Sequence, residues 1–425
     1  MISTKQLYDI FCKSQKISTD SRNIIPDSIF FALKGEHFDG NQFAKQALED
    51  GASFAVVDNP DIVTSEHYLL VEDTLTALQQ LANYHRRQLQ TLIVAITGSN
   101  GKTTTKELMR AVLSQTFRVT ATQGNLNNHI GVPLTLLSIR PETDIAIVEM
   151  GANHPNEIAA LCNIAEPDYG YITNFGKAHL EGFGSIEGVI KAKSELYEYL
   201  IAHQKTVFVN SDDAIQIRLL KDYTSVYTFG QSTEVNLNMQ LKENNPIAVE
   251  VNGTEIKSNL VGKYNFPNIA SAIALGRFFT ISYEAISRGI GSYIPNNNRS
   301  QFITIDTNTI LMDAYNANPS SMAAAIENMA ALNNPNKILI LGDMFELGIS
   351  STEEHQMIVE KIALHPWQNV FLIGENFAKT TCHFPQFENF DAFADYFKRH
   401  IPSSALILIK GSRGMALERV LDILK

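Results

Sequence analysis

The hydrophobic residues of this chain fall into short continuous runs, separated by stretches with apolar residues at helical spacing. Runs of four to six apolar residues are typical of strands that are buried on both faces of a parallel sheet. Such runs recur along the whole chain, which predicts an α/β protein. We expect three domains, at residues 1–90, 91–297 and 298–425, with the polar stretch from Pro295 to Asn298 as the second linker.

The first region has short strands between helix-like segments, which predicts a small α/β domain. The central region predicts a mostly parallel sheet followed by a small antiparallel insert near 235–260 and a helix at Pro267–Phe279. The third region alternates strands with helices, which predicts a Rossmann-like, doubly wound domain. The predicted strands are Ile29–Leu33, Phe54–Val57, Tyr68–Val71, Leu92–Thr97, Ile145–Glu149, Tyr169–Thr173, Thr206–Asn210, Val226–Phe229, Ile310–Met312, Lys337–Leu341, Val370–Ile373 and Ala405–Ile409, and the predicted C-terminal helices are Ser320–Ala331, Thr352–Leu364 and Met415–Leu424.

Composition narrows the class of protein. The 425 residues are 44% hydrophobic and 19% charged, which is a globular balance. The net charge of −11 and the absence of a basic tract argue against a nucleic-acid partner. The three cysteines lack metal or redox spacing, no apolar run reaches membrane-spanning length, and charged residues interrupt the N-terminal stretch, so we expect a cytoplasmic protein.

The loop after the first central strand has the composition of a phosphate-binding turn. It consists of Gly98, Ser99, Asn100, Gly101, Lys102, Thr103 and Thr104. Backbone N–H groups and a helix N-terminus there would face an anion, the lysine would supply mobile positive charge, and the hydroxyl of Thr103 would hold Mg²⁺. The general P-loop has four residues between its glycines and this loop has two, so the alternative is a strand-to-helix turn with an exposed lysine.

Other polar side chains follow predicted strands, where ligands of open α/β sheets bind. Glu149 could hold Mg²⁺, or it could only cap a helix or be solvated. His179, in a glycine-rich loop, could bind metal or phosphate or be structural. Asp313–Pro319 and Lys410–Gly414 also suggest parts of a site. A helix is expected to begin at Lys191, and Lys191 and Lys193 are typical of a solvated helix face. Asn265 could be only a helix N-cap, whereas Asn268, inside the helix that follows it, could meet a base edge. Both asparagines lie at the start of the helix that is expected near Pro267.

Taken together, these motifs make the chain similar to the Mur ligases of peptidoglycan synthesis. The family signature is complete at Thr97–Thr104, so the short glycine gap is a family trait. Further resemblance lies in Gly124–Pro133, Tyr315–Pro319 and Leu341–Gly348, and in two N-terminal segments that resemble UDP-sugar-binding elements. Those two segments are Ser18–Arg22 and Phe30–Gly35.

The resemblance implies an ATP-dependent ligase that joins D-Ala-D-Ala to UDP-N-acetylmuramoyl-tripeptide through an acyl phosphate. It also implies two Mg²⁺ ions, a carbamylated Lys193 with Lys191 as its rival, and a monomer. The implied catalytic residues are Lys102, His179 and Lys193; the ATP ligands are the phosphate loop with Asn268, Arg299 and Asp313; the metal ligands are Thr103, Glu149, His179 and Lys193; the substrate ligands are Ser21, Arg22, Lys34, Asn125, Asn128, Tyr315, Asn316, Asn318 and Arg413.

Two alternatives stay open at this point. One is a related amide ligase that adds a single amino acid, such as the third-residue Mur ligase or a folylpolyglutamate synthase. The motifs at Gly124–Pro133 and Tyr315–Pro319 disfavour it. The other is a non-catalytic nucleotide-binding protein on the same fold, which the presence of Lys102, Glu149 and His179 disfavours.

Overall fold

A computed structural model describes residues 1–296 and 298–425. Asn297, which belongs to the predicted linker, lies outside the described residues. The α/β class is confirmed, with one main sheet in each of three consecutive parts of the chain. No helix within 1–296 or 298–425 has the length and apolar character needed to cross a membrane.

The N-terminal part is a four-stranded parallel sheet with flanking helices. Its strand order is β1-β2-β5-β6, and β3 and β4 form a separate hairpin. The first helix begins with a capping box between Ser3 and Gln6, which satisfies the free N–H groups of its first turn. The elements are α1 Thr4–Ser14, β1 Ile17–Ser18, β2 Ile29–Phe31, β3 Lys34–Gly35, β4 Phe38–Asp39, α2 Ala44–Glu49, β5 Phe54–Val57, β6 Tyr68–Leu70 and α3 Thr74–Gln88.

The central part is a seven-stranded parallel sheet of order β13-β12-β11-β10-β7-β9-β8, with the predicted antiparallel insert β14–β16 beside it. Its elements are β7 Leu92–Thr97, α4 Lys102–Leu113, β8 Val119–Ala121, α5 Gly131–Leu137, β9 Ile145–Glu149, α6 Glu157–Ala165, β10 Tyr169–Ile172, α7 Leu180–Phe183, α8 Ile186–Ala202, β11 Thr206–Asn210, α9 Ala214–Leu219, β12 Val226–Gly230, β13 Leu237–Asn238, β14 Gln240–Asn244, β15 Ile247–Val251, β16 Thr254–Lys257, α10 Phe266–Phe278 and α11 Tyr283–Ser292.

Strand β7 shows why the central apolar runs are continuous. Ile93 and Ala95 pack into the hydrophobic core on one face of the sheet, whereas Val94 and Ile96 pack into the core on the other. Both faces are covered, so the four positions from Ile93 to Ile96 are all apolar, and the first polar residue, Thr97, comes at the end of the strand. The chain passes from β7 to β8 and β9 on one side and returns to β10 on the other, so the strand order reverses beside β7.

The C-terminal part is a six-stranded sheet of order β17-β18-β22-β19-β20-β21, parallel except for the antiparallel β17–β18 pair. Its elements are β17 Gln301–Ile305, β18 Asn308–Met312, α12 Pro319–Ala331, β19 Lys337–Gly342, α13 Ser351–Ala363, β20 Asn369–Ile373, β21 Gln386–Phe387, α14 Phe390–Phe397, β22 Leu406–Lys410 and α15 Val420–Leu424.

Two predicted helix starts are wrong. The helix expected at Met415–Leu424 is α-helical only from Val420, because Ala416 takes a left-handed conformation (φ 48°) that interrupts it. The helix that carries Lys191 and Lys193 begins earlier than expected, at Ile186, where the side chain of Ser185 caps it.

Candidate active site

A cavity of about 980 Å³ lies at the carboxyl ends of β7, β9 and β10, where the strand order reverses. This is the place at which open parallel sheets bind ligands. All three parts of the chain contribute to its wall: Gln79 from the first, the phosphate loop from the second, and Arg299 with Asp313 from the third.

The phosphate loop has the backbone that its glycines predict. Gly98 (φ 136°) and Gly101 (φ 82°) lie in the region that favours glycine. A Cβ at Gly98 would lie 2.1 Å from Thr173 Oγ1, so a side chain would displace the loop from the sheet. Helix α4 begins directly afterwards at Lys102, and its first residues line the cavity. The free N–H groups and the positive end of the helix are therefore available to an anion.

Lys102 is folded back onto its own loop. Its Nζ donates to Gly98 O at 2.7 Å, with Ser99 O at 3.4 Å. Burial lowers the pKa of this amine, the charge of Glu149 opposes that shift, and the charge of Arg299 adds to it. A phosphate that offered oxygen atoms in place of these carbonyls would attract the side chain from this position.

Glu149, at the end of β9, is almost fully buried at the base of the cavity. Its Oε1 accepts from Thr103 Oγ1 at 3.2 Å and from Asn127 Nδ2 at 2.8 Å, and its Oε2 has no hydrogen-bond partner. Lys106 Nζ is 3.9 Å from Oε2. A hydroxyl beside an unsatisfied carboxylate oxygen fits Mg²⁺, which proteins bind through one or two such groups together with substrate phosphates.

A self-sufficient metal centre is not part of this arrangement. The described residues contain no group of three or more His, Cys, Asp and Glu side chains arranged to hold a metal ion. An ion at Thr103 and Glu149 would therefore need ligands from a nucleotide and water.

His179 precedes the short helix α7 in a left-handed conformation (φ 52°) and lines the cavity. Its Nδ1 lies 2.5 Å from Oε2 of Glu346, a residue of the C-terminal part. The adjacent imidazole lowers the pKa of the Glu346 carboxyl, and burial opposes that shift. The geometry of the contact is not that of a hydrogen bond, so Nδ1 of His179 is buried without a hydrogen-bond partner among the described residues. The sequence did not identify Glu346 as a site residue, although it lies within the Leu341–Gly348 motif.

Lys193 and Lys191 differ sharply in environment. Lys191 is exposed, as expected for a solvated helix face, whereas Lys193 is 1% exposed, so the solvated interpretation is wrong for it. Its Nζ donates to Ala152 O at 3.0 Å and lies 5.2 Å from the ring centroid of Phe183. Burial, and then the charge of Lys102, lower the pKa of Lys193 from 10.5 to about 7.

Charged and aromatic groups of the C-terminal part close the far side of the cavity. Asp313, after β18, accepts from Lys410 Nζ at 2.6 Å. Two guanidinium groups lie over the Tyr315 ring, with Arg299 at 3.5 Å and Arg413 at 5.4 Å from its centroid. Such stacking is a cation–π arrangement that keeps both cations beside the cavity.

Direct bonds join the central and C-terminal parts beside the phosphate loop. Asn318 Nδ2 donates to Asn100 Oδ1 at 2.7 Å, and Lys177 Nζ lies 2.5 Å from Glu354 Oε1. The backbone N–H of Lys177 also donates to Ser320 Oγ at 2.9 Å. The two parts are therefore closed onto each other around the cavity.

The two asparagines near Pro267 are both buried. Asn265 occupies the N-cap position of α10 without making a side-chain capping bond; its amide donates to Val261 O instead. Asn268 Oδ1 accepts from Thr105 Oγ1 at 3.1 Å, and its Nδ2 donates to Asn265 Oδ1. Both side chains thus brace the floor of the cavity next to the phosphate loop.

The structure brings together most, and not all, of the predicted site residues. The predicted residues that line the cavity are Ser99, Asn100, Gly101, Lys102, Thr103, Thr104, Asn125, Asn128, Glu149, His179, Asn268, Arg299, Asp313, Tyr315, Asn316 and Asn318. Those outside its lining are Gly98, Lys193, Arg413, Ser21, Arg22 and Lys34. Gly98, Lys193 and Arg413 lie directly behind lining residues.

The other three residues belong to the N-terminal part. Arg22 is exposed and paired with Asp20, and Lys34 pairs with the buried carboxylate of Asp58 at 2.8 Å. Two residues that contact Glu149 were missed by the sequence reasoning, Asn127 and Lys106. Asn127 lies inside the Gly124–Pro133 motif that was noted, whereas no signal marked Lys106 as buried.

The site combines a phosphate loop, a carboxylate at the end of the neighbouring strand and a third domain in contact with the loop. These features define a nucleotide-binding α/β protein that can transfer a group between substrates bound in one cavity. Three family models match the chain: the Mur ligase family catalytic domain at 13–86, the Mur ligase middle domain at 96–276 and the Mur ligase glutamate ligase domain at 298–413. The chain belongs to the Mur ligase family.

Two relatives are named UDP-N-acetylmuramoyl-tripeptide–D-alanyl-D-alanine ligase. The Bacillus subtilis (strain 168) protein is 35% identical, over 95% of this chain and 92% of its own. The Escherichia coli (strain K12) protein is also 35% identical, over 96% of this chain and 93% of its own.

Two solved structures share this fold over nearly the whole chain. MurF from Acinetobacter baumannii superposes with a TM-score of 0.85 at 31% identity, over 96% of this chain and 93% of that one. MurF ligase from Thermotoga maritima in complex with ADP gives a TM-score of 0.85 at 25% identity, with 97% of each chain covered.

Proposed function

We propose that this protein is an ATP-dependent ligase that joins D-Ala-D-Ala to UDP-N-acetylmuramoyl-tripeptide in peptidoglycan synthesis. The observation that carries the proposal is the cavity in which the phosphate loop of the central part meets Asp313 and Tyr315 of the C-terminal part. The whole-chain similarity to ligases with this name supplies the identity of the substrates.

The reaction couples two transfers. The terminal carboxylate of the tripeptide attacks the γ-phosphorus of ATP, a P–O bond to ADP breaks, and an acyl phosphate forms. The amine of D-Ala-D-Ala then attacks the acyl carbon and loses a proton, and the tetrahedral intermediate collapses to the amide and inorganic phosphate. The first step brings two anions together, so it needs concentrated positive charge and exclusion of water.

Residues of this chain supply that environment. The N–H groups of the phosphate loop and the N-terminus of α4 hold the phosphates, and Lys102 leaves its two carbonyl partners to bind them. Thr103 and Glu149 would hold Mg²⁺, which supplies charge neutralisation when bound. Closure of the C-terminal part places Asn318 against Asn100 and thereby holds the substrates in line.

The three parts of the chain have separate binding roles in this proposal. Residues 1–90 bind the UDP-sugar, with Ser21, Arg22 and Lys34 among the ligands; residues 91–297 bind ATP; and residues 298–425 bring the amine substrate and contact the nucleotide. The support for the roles of the central and C-terminal parts is the lining of the cavity, with Asn125 and Asn128 on its central wall and Asn316 and Tyr315 on its C-terminal wall. The role of the first part rests on the resemblance of its two N-terminal segments to UDP-sugar-binding elements.

Lys193 is proposed to be carbamylated, and with His179 to hold a second Mg²⁺. Its pKa of about 7 leaves a large neutral fraction of the amine near neutral pH. A neutral amine can attack carbon dioxide: an N–C bond forms, one C=O π bond becomes a carboxylate oxygen, one proton leaves to solvent, and the neutral amine becomes an anionic carbamate. Lys191 is exposed, so it is not enclosed by the packing that surrounds Lys193.

Incubation with carbon-13 bicarbonate, followed by carbon NMR, tests the carbamate directly. A carbamate signal that disappears in Lys193→Met and persists in Lys191→Met is expected. A signal that disappears in Lys191→Met instead would assign the modification to the other lysine.

The reaction is also proposed to take place in the cytoplasm, and the protein is proposed to act as a monomer. The function is tested by incubating the protein with ATP, UDP-N-acetylmuramoyl-tripeptide and either D-Ala-D-Ala or a single amino acid, and analysing the products by mass spectrometry. Product that contains both alanines, with one ADP per amide, is expected. Addition of a single amino acid alone, or phosphate release that is indifferent to D-Ala-D-Ala, would refute it.

A further inference from the structure

The tip of the phosphate loop is bonded through its backbone to a side chain that follows the neighbouring strand. Asn100 N–H donates to Oδ1 of Asn174 at 3.1 Å, and Asn100 O accepts from Nδ2 of the same side chain at 3.0 Å. Asn174 follows β10, the strand that pairs with β7. Its side chain thus takes both backbone groups through which a strand would pair with Asn100.

Further bonds from the same segment complete this anchor. The backbone carbonyl of Asn174 accepts from Ser99 N–H at 3.0 Å, and Thr173 Oγ1 donates to Asn100 O at 2.5 Å. Ser99 Oγ donates to Gly176 O at 2.8 Å. Residues 173–176 therefore hold the tip of the loop without help from a ligand.

These bonds give the two halves of the loop different roles. The N–H groups of Ser99 and Asn100 are occupied within the protein, so an anion could take them only by displacing Asn174. The next N–H groups, from Gly101 to Thr103, lie at the start of α4, where a helix offers them no internal partners. Phosphate binding therefore falls to the second half of the loop, and the first half sets its position.

The side chain of Asn100 is bonded to a different part of the chain. Its Oδ1 accepts from Nδ2 of Asn318 at 2.7 Å, and Oδ1 of Asn318 caps α12 by accepting from Ser321 N–H at 2.9 Å. Asn100 is therefore held through its backbone by the central part and through its side chain by the C-terminal part. Separate substitutions can remove the two contacts.

We propose that Asn174 is a positioning residue that preorganises the phosphate loop for the phosphates of the nucleotide. It acts through the backbone of Asn100, which directs the N–H groups from Gly101 to Thr103 towards the cavity. The same geometry presents the Asn100 side chain to Asn318 of the C-terminal part. A loop that is fixed before binding avoids the entropic cost of being ordered by the ligand. The link to ligation rests on the proposed function, and the effect on nucleotide binding does not.

Direct contact between Asn174 and a phosphate is the competing explanation, because Asn174 also lines the cavity. In that case, removing the side chain would weaken nucleotide binding and leave the free loop unchanged. Positioning predicts a looser loop before any ligand is added. Amide hydrogen exchange in the ligand-free protein separates the two explanations, because it measures how often hydrogen-bonded N–H groups open.

The test uses full-length protein with substitutions at three asparagines. Asn174→Ala removes the anchor, and Asn174→Asp keeps the acceptor for Asn100 N–H and loses the donor to Asn100 O. Asn318→Ala removes the bond to the Asn100 side chain. Asn163→Ala is the matched control, because Asn163 is an exposed asparagine of α6 that lines the same cavity. Thermal unfolding confirms that each variant is folded.

Hydrogen exchange is followed at two N–H groups whose partners every variant retains. Ser99 N–H donates to the backbone carbonyl of Asn174, and Thr105 N–H donates to Gly101 O at 2.8 Å. Faster exchange at these groups reports movement of the loop and not merely the loss of a side chain. ADP and adenosine, which lacks phosphate, are then titrated against each variant.

We expect Asn174→Ala to speed both exchange reactions and to weaken ADP binding by about tenfold each, because two hydrogen bonds that fix the loop are lost. Exchange in Asn174→Asp should lie between those of Asn174→Ala and the wild type. Adenosine binding to Asn174→Ala, and exchange and ADP binding in Asn318→Ala and Asn163→Ala, should stay within about twofold of the wild type. Asn318→Ala should lower the kcat of ligation.

Three results would overturn the inference. Unchanged exchange in Asn174→Ala with weaker ADP binding would assign Asn174 to direct phosphate contact. Equal losses of ADP and adenosine binding would show general damage to the site. Exchange in Asn318→Ala as fast as in Asn174→Ala would show that the C-terminal part shapes the loop. A wild-type protein that shows the expected exchange and ADP binding but forms no amide would refute only the proposed function.

Discussion

Replacing Lys193 with methionine should stabilise the substrate-free protein while abolishing its activity. The Lys193 amine is buried at the 1% level, and Nζ has one hydrogen bond, to Ala152 O, with the charge of Lys102 nearby. Methionine has a similar volume and no charge, so its burial avoids the free-energy cost of removing a charge from water. A substitution that raises stability and removes activity is the trade-off expected at a residue retained for function.

The expected gain in the free energy of unfolding follows from the change in the Lys193 pKa on folding. A fall from 10.5 to about 7 on folding corresponds to about 5 kcal/mol at low pH, at roughly 1.4 kcal/mol per pH unit, and to about 4 kcal/mol at pH 7. Loss of the hydrogen bond to Ala152 O removes about 1 kcal/mol of the gain. A net stabilisation of about 3 kcal/mol at pH 7 should raise the melting temperature of the central part by roughly 6–12 °C.

The difference between mutant and wild type should depend on pH. Between pH 7 and 10.5 the unfolded chain binds the lysine proton and the folded chain has released it, so the free energy of unfolding of the wild type rises with pH across this window. Methionine does not titrate. The advantage of Lys193→Met is therefore greatest at and below pH 7, and it should shrink steadily towards pH 10.

Calorimetry in buffer free of carbon dioxide, with Lys191→Met as the matched control, measures both quantities. The exposed Lys191 should give no more than about 0.5 kcal/mol in either direction, as surface substitutions do. A destabilised Lys193→Met protein, or a difference from wild type that stays constant between pH 7 and 10, would refute the account of the buried amine. Ligation by Lys193→Met at near-normal rates would refute its catalytic role.

Three further substitutions test other contacts of the site. Glu149→Gln should weaken Mg²⁺-dependent binding of ADP by at least about tenfold, or roughly 1.4 kcal/mol, in calorimetric titrations, and unaltered binding would remove Glu149 from the metal site. Asp313→Asn leaves the buried charge of Lys410 unpaired and should lower the free energy of unfolding by about 3–5 kcal/mol in urea; a loss below about 1 kcal/mol would contradict the pairing. A double-mutant cycle on Lys177 and Glu354 should give a coupling of about 0.5–1 kcal/mol, and additive effects would show that this pair does not hold the two parts together.

The sequence was a reliable guide where a strand is buried on both faces. The bounds of β7, β9 and β11 are as predicted, because each is a continuous apolar run that ends where polar loop residues begin. Edge elements gave a weaker signal. Strand β17 was missed, since it alternates exposed and partly buried positions at the rim of the C-terminal sheet.

The site residues show the same contrast between positions that the sequence pattern identifies and positions that it does not. The phosphate loop and Glu149 could be predicted, because strand ends in one sheet meet at one edge whatever the details of packing. The burial of Lys193 was missed because both lysines were assigned to one solvated face, although residues two apart on a helix point in roughly opposite directions. Lys193 falls in the apolar stripe of α8 with Val189 and Leu196, and α8 packs against α6 and α7. The partnership of His179 with Glu346 joins loops from different domains, and local patterns carry no information about such a contact.

Transfer of oxygen from the tripeptide carboxylate to phosphate tests the central claim most directly. With both carboxylate oxygens labelled with oxygen-18, activation by ATP places one labelled atom in the inorganic phosphate and leaves the other in the amide carbonyl. Phosphorus NMR of the released phosphate should therefore show one labelled oxygen per molecule, and only when D-Ala-D-Ala is consumed. Unlabelled phosphate from a reaction that forms the amide would contradict carboxylate activation at this site.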